Sequence, residues 1–333
     1  FEEQVFSSYR LPDHLKPIQY DLNLQLSSSE VNFWGELTID FEVLYSIDAA
    51  CSSRDELTIF SCLRGPKQTD EGFSMNQVYL HADASIFFDD VKFYDLGSQN
   101  VDLNKVKGRE VKIRKFSRDH TKQMIALTLA HDLKPGKRGR IWFNFVSSYQ
   151  RDKTMGVYRA ESSGTSYTIG SFEPTGARLA FPCFDEPRFR VKIRLSIAHN
   201  FLTKVVSNFA QSGREELGRG RVRTRFVEPD WTLPLHKLTF VLGNLEEISA
   251  KFAEVTVSIW AHPLLVEQGE HALKVATSAL KIMANSYDER LDSKRLYLVA
   301  VSKHQNEQMA GYGMSLVRQD LLLLDLEDEP IKA

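Results

Sequence analysis

The residues best able to do chemistry in this chain are nine histidines, three cysteines and a charged run near its middle. A hydrolytic zinc site needs two imidazoles at i and i+4, so that both leave the same face of a helix toward the metal. A glutamate between them then serves as general base on the bound water. No histidine here has a partner at that spacing: His262 and His271 are nine apart, His236 is followed by Lys-Leu-Thr and His304 by Gln-Asn-Glu. The histidines therefore read as scattered surface or structural residues, and no metal site is expected in this chain. Arg178, Asp185 and Glu186 have the residue types of an acid–base constellation.

The cysteines differ in meaning. Cys51 and Cys62 have ten residues between them, including Asp55 to Phe60, which reads as a turn and a strand. A bridge closing such a loop would stabilise the fold by about 2–3 kcal/mol through the unfolded state. Two separate buried thiols fit the sequence equally well. Cys183 lies in an aromatic and Pro-rich stretch and reads as a packed core thiol.

Composition narrows the classes. Apolar residues make up 42% and charged residues 26%, and Lys plus Arg numbers 42 against 44 for Asp plus Glu. This near-neutral balance argues against a nucleic-acid partner, which would need a basic face. The one basic cluster, Lys105 to Arg118, is interleaved with Val106, Val111 and Ile113 and reads as the solvent face of strands. No stretch approaches the roughly 20 apolar residues that span a bilayer. The chain begins with Phe1, is expected to be a processed or engineered piece, and carries no Asn-x-Ser/Thr sequon.

The elements that would position these residues are mostly strands. Tyr20 to Leu26, Leu37 to Leu44, Met124 to Ala130 and Arg140 to Phe145 alternate apolar and polar residues, and Lys134-Pro135-Gly136-Lys137 reads as a turn. Lys192 to Ala198 and Leu238 to Leu242 add further strands. From about residue 250 the character changes. Glu254 to Ala261 reads as a strand and Leu265 to Tyr287 as a helix, with Leu273, Ala276, Leu280 and Met283 on one face. Arg295 to Val301 and Met314 to Leu324 read as two more strands, an α/β layer that is expected to break off in mid-domain at Ala333. The fold class is mainly β, a saddle-like or sandwich domain followed by this α/β opening.

The opening run Arg10-Leu11-Pro12 … Pro17-Ile18-Gln19-Tyr20-Asp21-Leu22 resembles that of the aminopeptidase N family of gluzincin zinc exopeptidases. The sixteen residues Phe172 to Pro187 (FEPTGARLAFPCFDEP) resemble that family's most recognisable N-terminal motif. Met155 to Tyr158 and Trp231 to Pro234 fall where the family has comparable segments, so the resemblance covers nearly the whole chain in order. It implies a β-rich N-terminal domain over residues 1–248. Residues 249–333 would be the β lobe of a thermolysin-like catalytic domain, truncated before its zinc helix. It also implies that Arg178, Cys183, Asp185 and Glu186 form an ion-paired, core-packing motif. Zinc would enter only if a longer parent carried the HExxH helix, so no cofactor is expected in this chain.

In that family the GAMEN loop, followed by Trp-Gly, grips the substrate's free amine with its glutamate from an edge strand. Aligning on Met309 and Gly313 puts Ala310 at that glutamate and Gly311 at the asparagine. Sliding Glu307 into the role would cost the Met and Gly matches. A methyl group cannot counter an ammonium in a partly desolvated cleft. Glu173 matches the N-terminal-domain glutamate that helps bind the substrate's amino terminus, or else is kept within a folded turn with Arg178. Ser171 stands where a specificity-pocket glutamine is common. The expected function is thus a non-catalytic homologue, an extracellular or cell-surface ectodomain that binds a protein or peptide. The alternative is the front piece of a working zinc aminopeptidase.

Overall fold

Alternation between core and solvent, read from the sequence, becomes strand after strand in the computed structural model. It describes residues 2–3, 6, 8–44, 75–98, 102–151, 154–162, 165–286, 294–301 and 308–324. Cys51, Cys62, the strand expected between them and Glu307 lie outside the described residues. The protein is mainly β.

The largest sheet has nine strands. Its path runs Gln211–Gly218, Arg221–Phe226, Arg190–Asn200, Leu15–Gln25, Asn32–Val43, Lys137–Ser148, Phe87–Ser98 and Arg109–Val111, and Leu233–Pro234 pairs with Arg190–Asn200 beside it. Leu15–Gln25 runs parallel to Arg190–Asn200, and the other neighbours along the path are antiparallel. Strand Lys137–Ser148 shows why the sheet has two characters: Ile141, Phe143 and Phe145 are buried, while Trp142, Asn144 and Val146 between them are half-buried on the other face. Gly136, with φ +73°, closes the expected turn, and Lys137 N–H donates to Lys134 O at 3.1 Å.

A four-stranded sheet (Glu2–Glu3, Ile113–Asp119, Met124–Leu129, Gln77–His81) shares a core with the inner face of the nine-stranded one, through Val78, Leu80, Ile125 and Leu127. The basic run Lys105 to Arg118 is the solvent face expected of it at Lys105, Lys107, Arg109, Lys112, Arg114 and Lys115, all exposed, and this cover corrects that reading at Arg118 alone. Arg118 is buried, because Glu3 pairs beside it and Phe6 N–H donates to the neighbouring Asp119 carboxylate at 2.8 Å. Its guanidinium donates to Ile86 O at 2.8 Å and Ala84 O at 3.2 Å instead of meeting water.

A third sheet holds Gly156–Ser162, Thr165–Ser171, Thr239–Gly243 and Lys204–Ser207. The fourth has five strands in the order Glu246–Phe252, Val255–Ala261, Arg295–Val301, Met314–Arg318, Gln308–Ala310. The inner pairs are parallel and both edge pairs antiparallel. Position 248 falls inside its first strand. The helix Glu270–Ser286 lies on this sheet through its N-terminal half, where Ala272 and Leu273 pack. Of the four residues expected on its apolar face only Leu280 is buried, and Met283 is exposed together with all of residues 281–286. Met314 to Leu324 is also not one strand: it ends at Arg318 and turns into the short helix Gln319–Leu322.

Candidate functional site

The run Phe172 to Pro187 packs as a bracket between sheets. Phe172 stacks edge-on against Phe181, with ring centroids 5.5 Å apart, and both are fully buried. The chain then folds so that Arg178, on the 3-10 turn Ala177–Leu179, reaches Asp185. Its Nε donates to Asp185 Oδ2 at 2.8 Å, its backbone N–H to the same oxygen at 3.3 Å, and its Nη2 to the Asp185 carbonyl at 2.9 Å. Burial raises the Asp185 carboxyl above its ordinary range, with Arg178 pulling it back down.

The bracket also seizes the chain ahead of the first long strand. Glu186 accepts from Leu11 N–H at 2.6 Å and from Arg188 Nε at 2.8 Å, and burial raises its carboxyl too. Cys183 exchanges backbone hydrogen bonds with His81 at 2.8 and 2.9 Å, while Phe184 N–H donates to Tyr20 Oη at 2.9 Å. Burial pushes the Cys183 thiol well up, so it offers no thiolate for chemistry.

Glu173 points elsewhere. It is half-exposed and accepts from Lys237 Nζ at 2.9 Å, while Arg178 is committed to Asp185. Ser171, one turn of chain earlier, is buried at the end of its strand, opposite Thr239 in register. His236, beside Lys237 on the turn Leu235–Lys237, has its pKa lowered by burial and then by the Lys237 charge, against the pull of Glu173 and Asp185.

The loop after the edge strand Gln308–Ala310 comes to this same end of the third sheet. Met309 pairs with Leu316 and Ala310 with Ser315. Gly311 N–H donates to Met314 O at 2.7 Å. Asn208, buried, then ties this loop to the third sheet: its Nδ2 donates to Tyr312 O at 2.8 Å and Lys237 O at 3.2 Å, and its Oδ1 accepts from Thr239 N–H at 2.5 Å. The Tyr312 ring sits 4.3 Å from that of Trp231. Thus Glu173, Lys237, Asn208 and the 309–313 loop form one neighbourhood, with Arg178 and Asp185 buried behind it. Asn208, Lys237 and Tyr312 had no signal in the sequence strong enough to single them out. Each acts through contacts made by distant parts of the chain.

Gly311 is a close-approach position. A Cβ there would lie 2.9 Å from Met314 O, 3.0 Å from Thr239 Oγ1 and 3.1 Å from Asn208 Nδ2. Gly311→Ala is expected to lower stability by about 1–3 kcal/mol through forced displacement of the loop, read as a reduced urea midpoint with an unchanged m-value.

The comparisons decide the family. The description "Peptidase M1 N-terminal domain" matches residues 16–230, more than half of the chain. The chain belongs to the peptidase M1 family. M1 relatives extend the likeness beyond that domain: Aminopeptidase 2 of Candida albicans is 24% identical over 325 residues, covering 96% of this chain and 30% of that protein. Endoplasmic reticulum aminopeptidase 1 of Rattus norvegicus is 21% identical, covering 97% and 31%. Aminopeptidase Q of Mus musculus is 24% identical, covering 96% and 55%. The M1 chain thus spans about a third to a half of the length of these relatives. Among its described residues no group of three or more His, Cys, Asp or Glu side chains is placed to hold a metal ion. No described helix is long and apolar enough to cross a membrane.

Proposed function

We propose that this chain is the amino-terminal, substrate-framing part of an M1 aminopeptidase that removes N-terminal residues from peptides. The observation carrying this reading is the seating of the 309–313 loop on the third sheet through Asn208, with the Glu173–Lys237 pair beside it. One carboxylate and an adjoining edge strand are the parts needed to receive an extended peptide and its terminus. Relatives named aminopeptidases match nearly the whole chain, which supports the same reading. Any zinc would be held by a helix of a longer parent. Division near residue 248 into a β domain and a catalytic β lobe belongs to this proposal, as does a location on the secretory route, supported by relatives named for the endoplasmic reticulum.

A second reading, a non-catalytic homologue that binds a protein or peptide, draws on two observations. Ala310 stands where the family's amine-gripping glutamate is aligned. Lys237 also already occupies the Glu173 carboxylate, so a substrate ammonium would have to displace it or accept a like charge nearby. Elemental analysis and an aminoacyl-coumarin assay on the full-length parent separate the two. One zinc per chain with hydrolysis is the result expected of the enzyme, and loss of both leaves the binding homologue.

A further inference from the structure

The outer face of the nine-stranded sheet carries a second candidate site, on strands remote in sequence from Glu173. The register sets Trp34 opposite Val146, Glu36 opposite Asn144 and Thr38 opposite Trp142, all on the face away from the phenylalanine core. Trp34 is 40% exposed, far more than an indole buried for packing. The Trp142 Nε1 donates to Glu36 Oε1 at 2.7 Å, which holds the carboxylate upright between the two indoles. Four residues separate the registers of Trp34 and Trp142, so their backbone positions stand ~13 Å apart along the strand direction, and the Trp142 indole leans from its own register toward Glu36.

Around this floor is a cavity of about 780 Å³, within the span of small-ligand sites, about 300–1,000 Å³. One wall is the turn Arg219–Arg221, and the other is the loop 27–30, whose Ser27 and Glu30 carbonyls accept from the Arg159 guanidinium. Large solvent-facing apolar surface in the cavity comes from the Trp34 indole, while the half-buried Trp142 ring has the Lys92 ammonium 5.2 Å over it. Carboxylates, amides, serine hydroxyls and guanidiniums make up most of the remainder. The acids Glu30, Glu36 and Asp89 stand against Arg219 and Arg221, so the cavity has little net charge to attract an ionic ligand.

We infer that this cavity binds a neutral oligosaccharide. A sugar ring offers an apolar C–H face to lie on an indole and a rim of hydroxyls that both donate and accept. The lining supplies the complement, an exposed indole at Trp34 with carboxylate and amide groups beside it. A cavity of about 780 Å³ has room for a short oligomer. A protein partner would call for a larger continuous apolar patch than two indoles provide.

The test is isothermal titration of the 333-residue chain with cellotriose, chitotriose and mannotriose in turn. At least one is expected to bind saturably. Trp34→Ala and Glu36→Gln should each weaken it tenfold or more while leaving the melting temperature within a degree or so of the parent's. Both side chains are solvent-facing, and Glu36→Gln preserves volume, so folding is not at stake. Absence of saturable heat with all three sugars overturns the inference. So does binding that neither substitution changes, because the sugar would then lie elsewhere.

Discussion

Arg178→Met is expected to destabilise the protein by about 3–5 kcal/mol, the scale found when a buried ion pair loses one partner. The Asp185 carboxylate is almost wholly buried and takes two of its hydrogen bonds from Arg178, while the Arg178 guanidinium also holds the Asp185 carbonyl. Removing the guanidinium leaves a charge that must either stay unpaired or take up a proton, and burial already raises this carboxyl. Asp185→Asn should cost less, because its amide oxygen can still accept from Arg178. The double variant Arg178→Met with Asp185→Leu should recover most of the loss, since two apolar side chains of similar volume leave no unpaired charge. A double-mutant cycle from urea melts measures the coupling. A single-variant loss below ~1 kcal/mol, or additive losses in the double variant, would show that the pair does not hold the bracket. A catalytic role for the pair predicts the reverse pattern, an intact melt with lost activity.

The β architecture was legible because period-two alternation is a local signal that survives into the sheets. Leu15–Gln25, Lys137–Ser148 and Arg295–Val301 fall where the alternating or apolar runs stand. What failed was whatever depends on a distant cover. Arg118 looks like one more solvated cation in a basic run, and nothing within ten residues of it announces that Glu3 and Phe6 will close over it. The stripe Leu273, Ala276, Leu280 and Met283 has helical period, but period alone does not say how far a sheet extends beneath a helix.

The candidate site shows the same division. Residue types within the 172–187 motif pointed to Glu173, Arg178 and Asp185. The partner of Glu173 came from Lys237, 64 residues away, and the residue tying the 309–313 loop to the third sheet is Asn208, 104 residues from Tyr312. Cross-sheet contacts of that range leave no mark in spacing. One asparagine after a strand reads as an ordinary turn residue.

Acid should unfold this protein steeply between pH 7 and pH 5, and three buried histidines are the reason. Burial lowers His14 to about 4, His81 to about 3 and His199 to about 4 from the ordinary 6.5. Beyond burial, the Arg178 charge depresses His81, and Arg214 and Arg221 depress His199, while backbone groups oppose the shift in each of the three. His199 is closed off from water, with Nδ1 2.8 Å from Asn200 O and Nε2 2.8 Å from Thr224 Oγ1. The unfolded chain binds protons at these sites below pH ~6.5 while the folded chain does not. Stability is therefore full above that pH and falls as the pH drops toward the folded values. At pH 5 each site costs about 2 kcal/mol, or roughly 6 kcal/mol together, a large share of the 5–15 kcal/mol typical of a folded domain. Asp185 and Glu186, whose carboxyls are raised, take up protons in the folded state first and offset part of the loss near the lower end of this range. Thermal melts at pH 7.5, 6 and 5 should show a falling midpoint, and His199→Gln should flatten the slope by about a third. Arg178→Met should flatten it too, because it removes the charge that depresses His81, even as it lowers the midpoint at every pH. A melting temperature unchanged from pH 7.5 to 5 would mean that these imidazoles reach water.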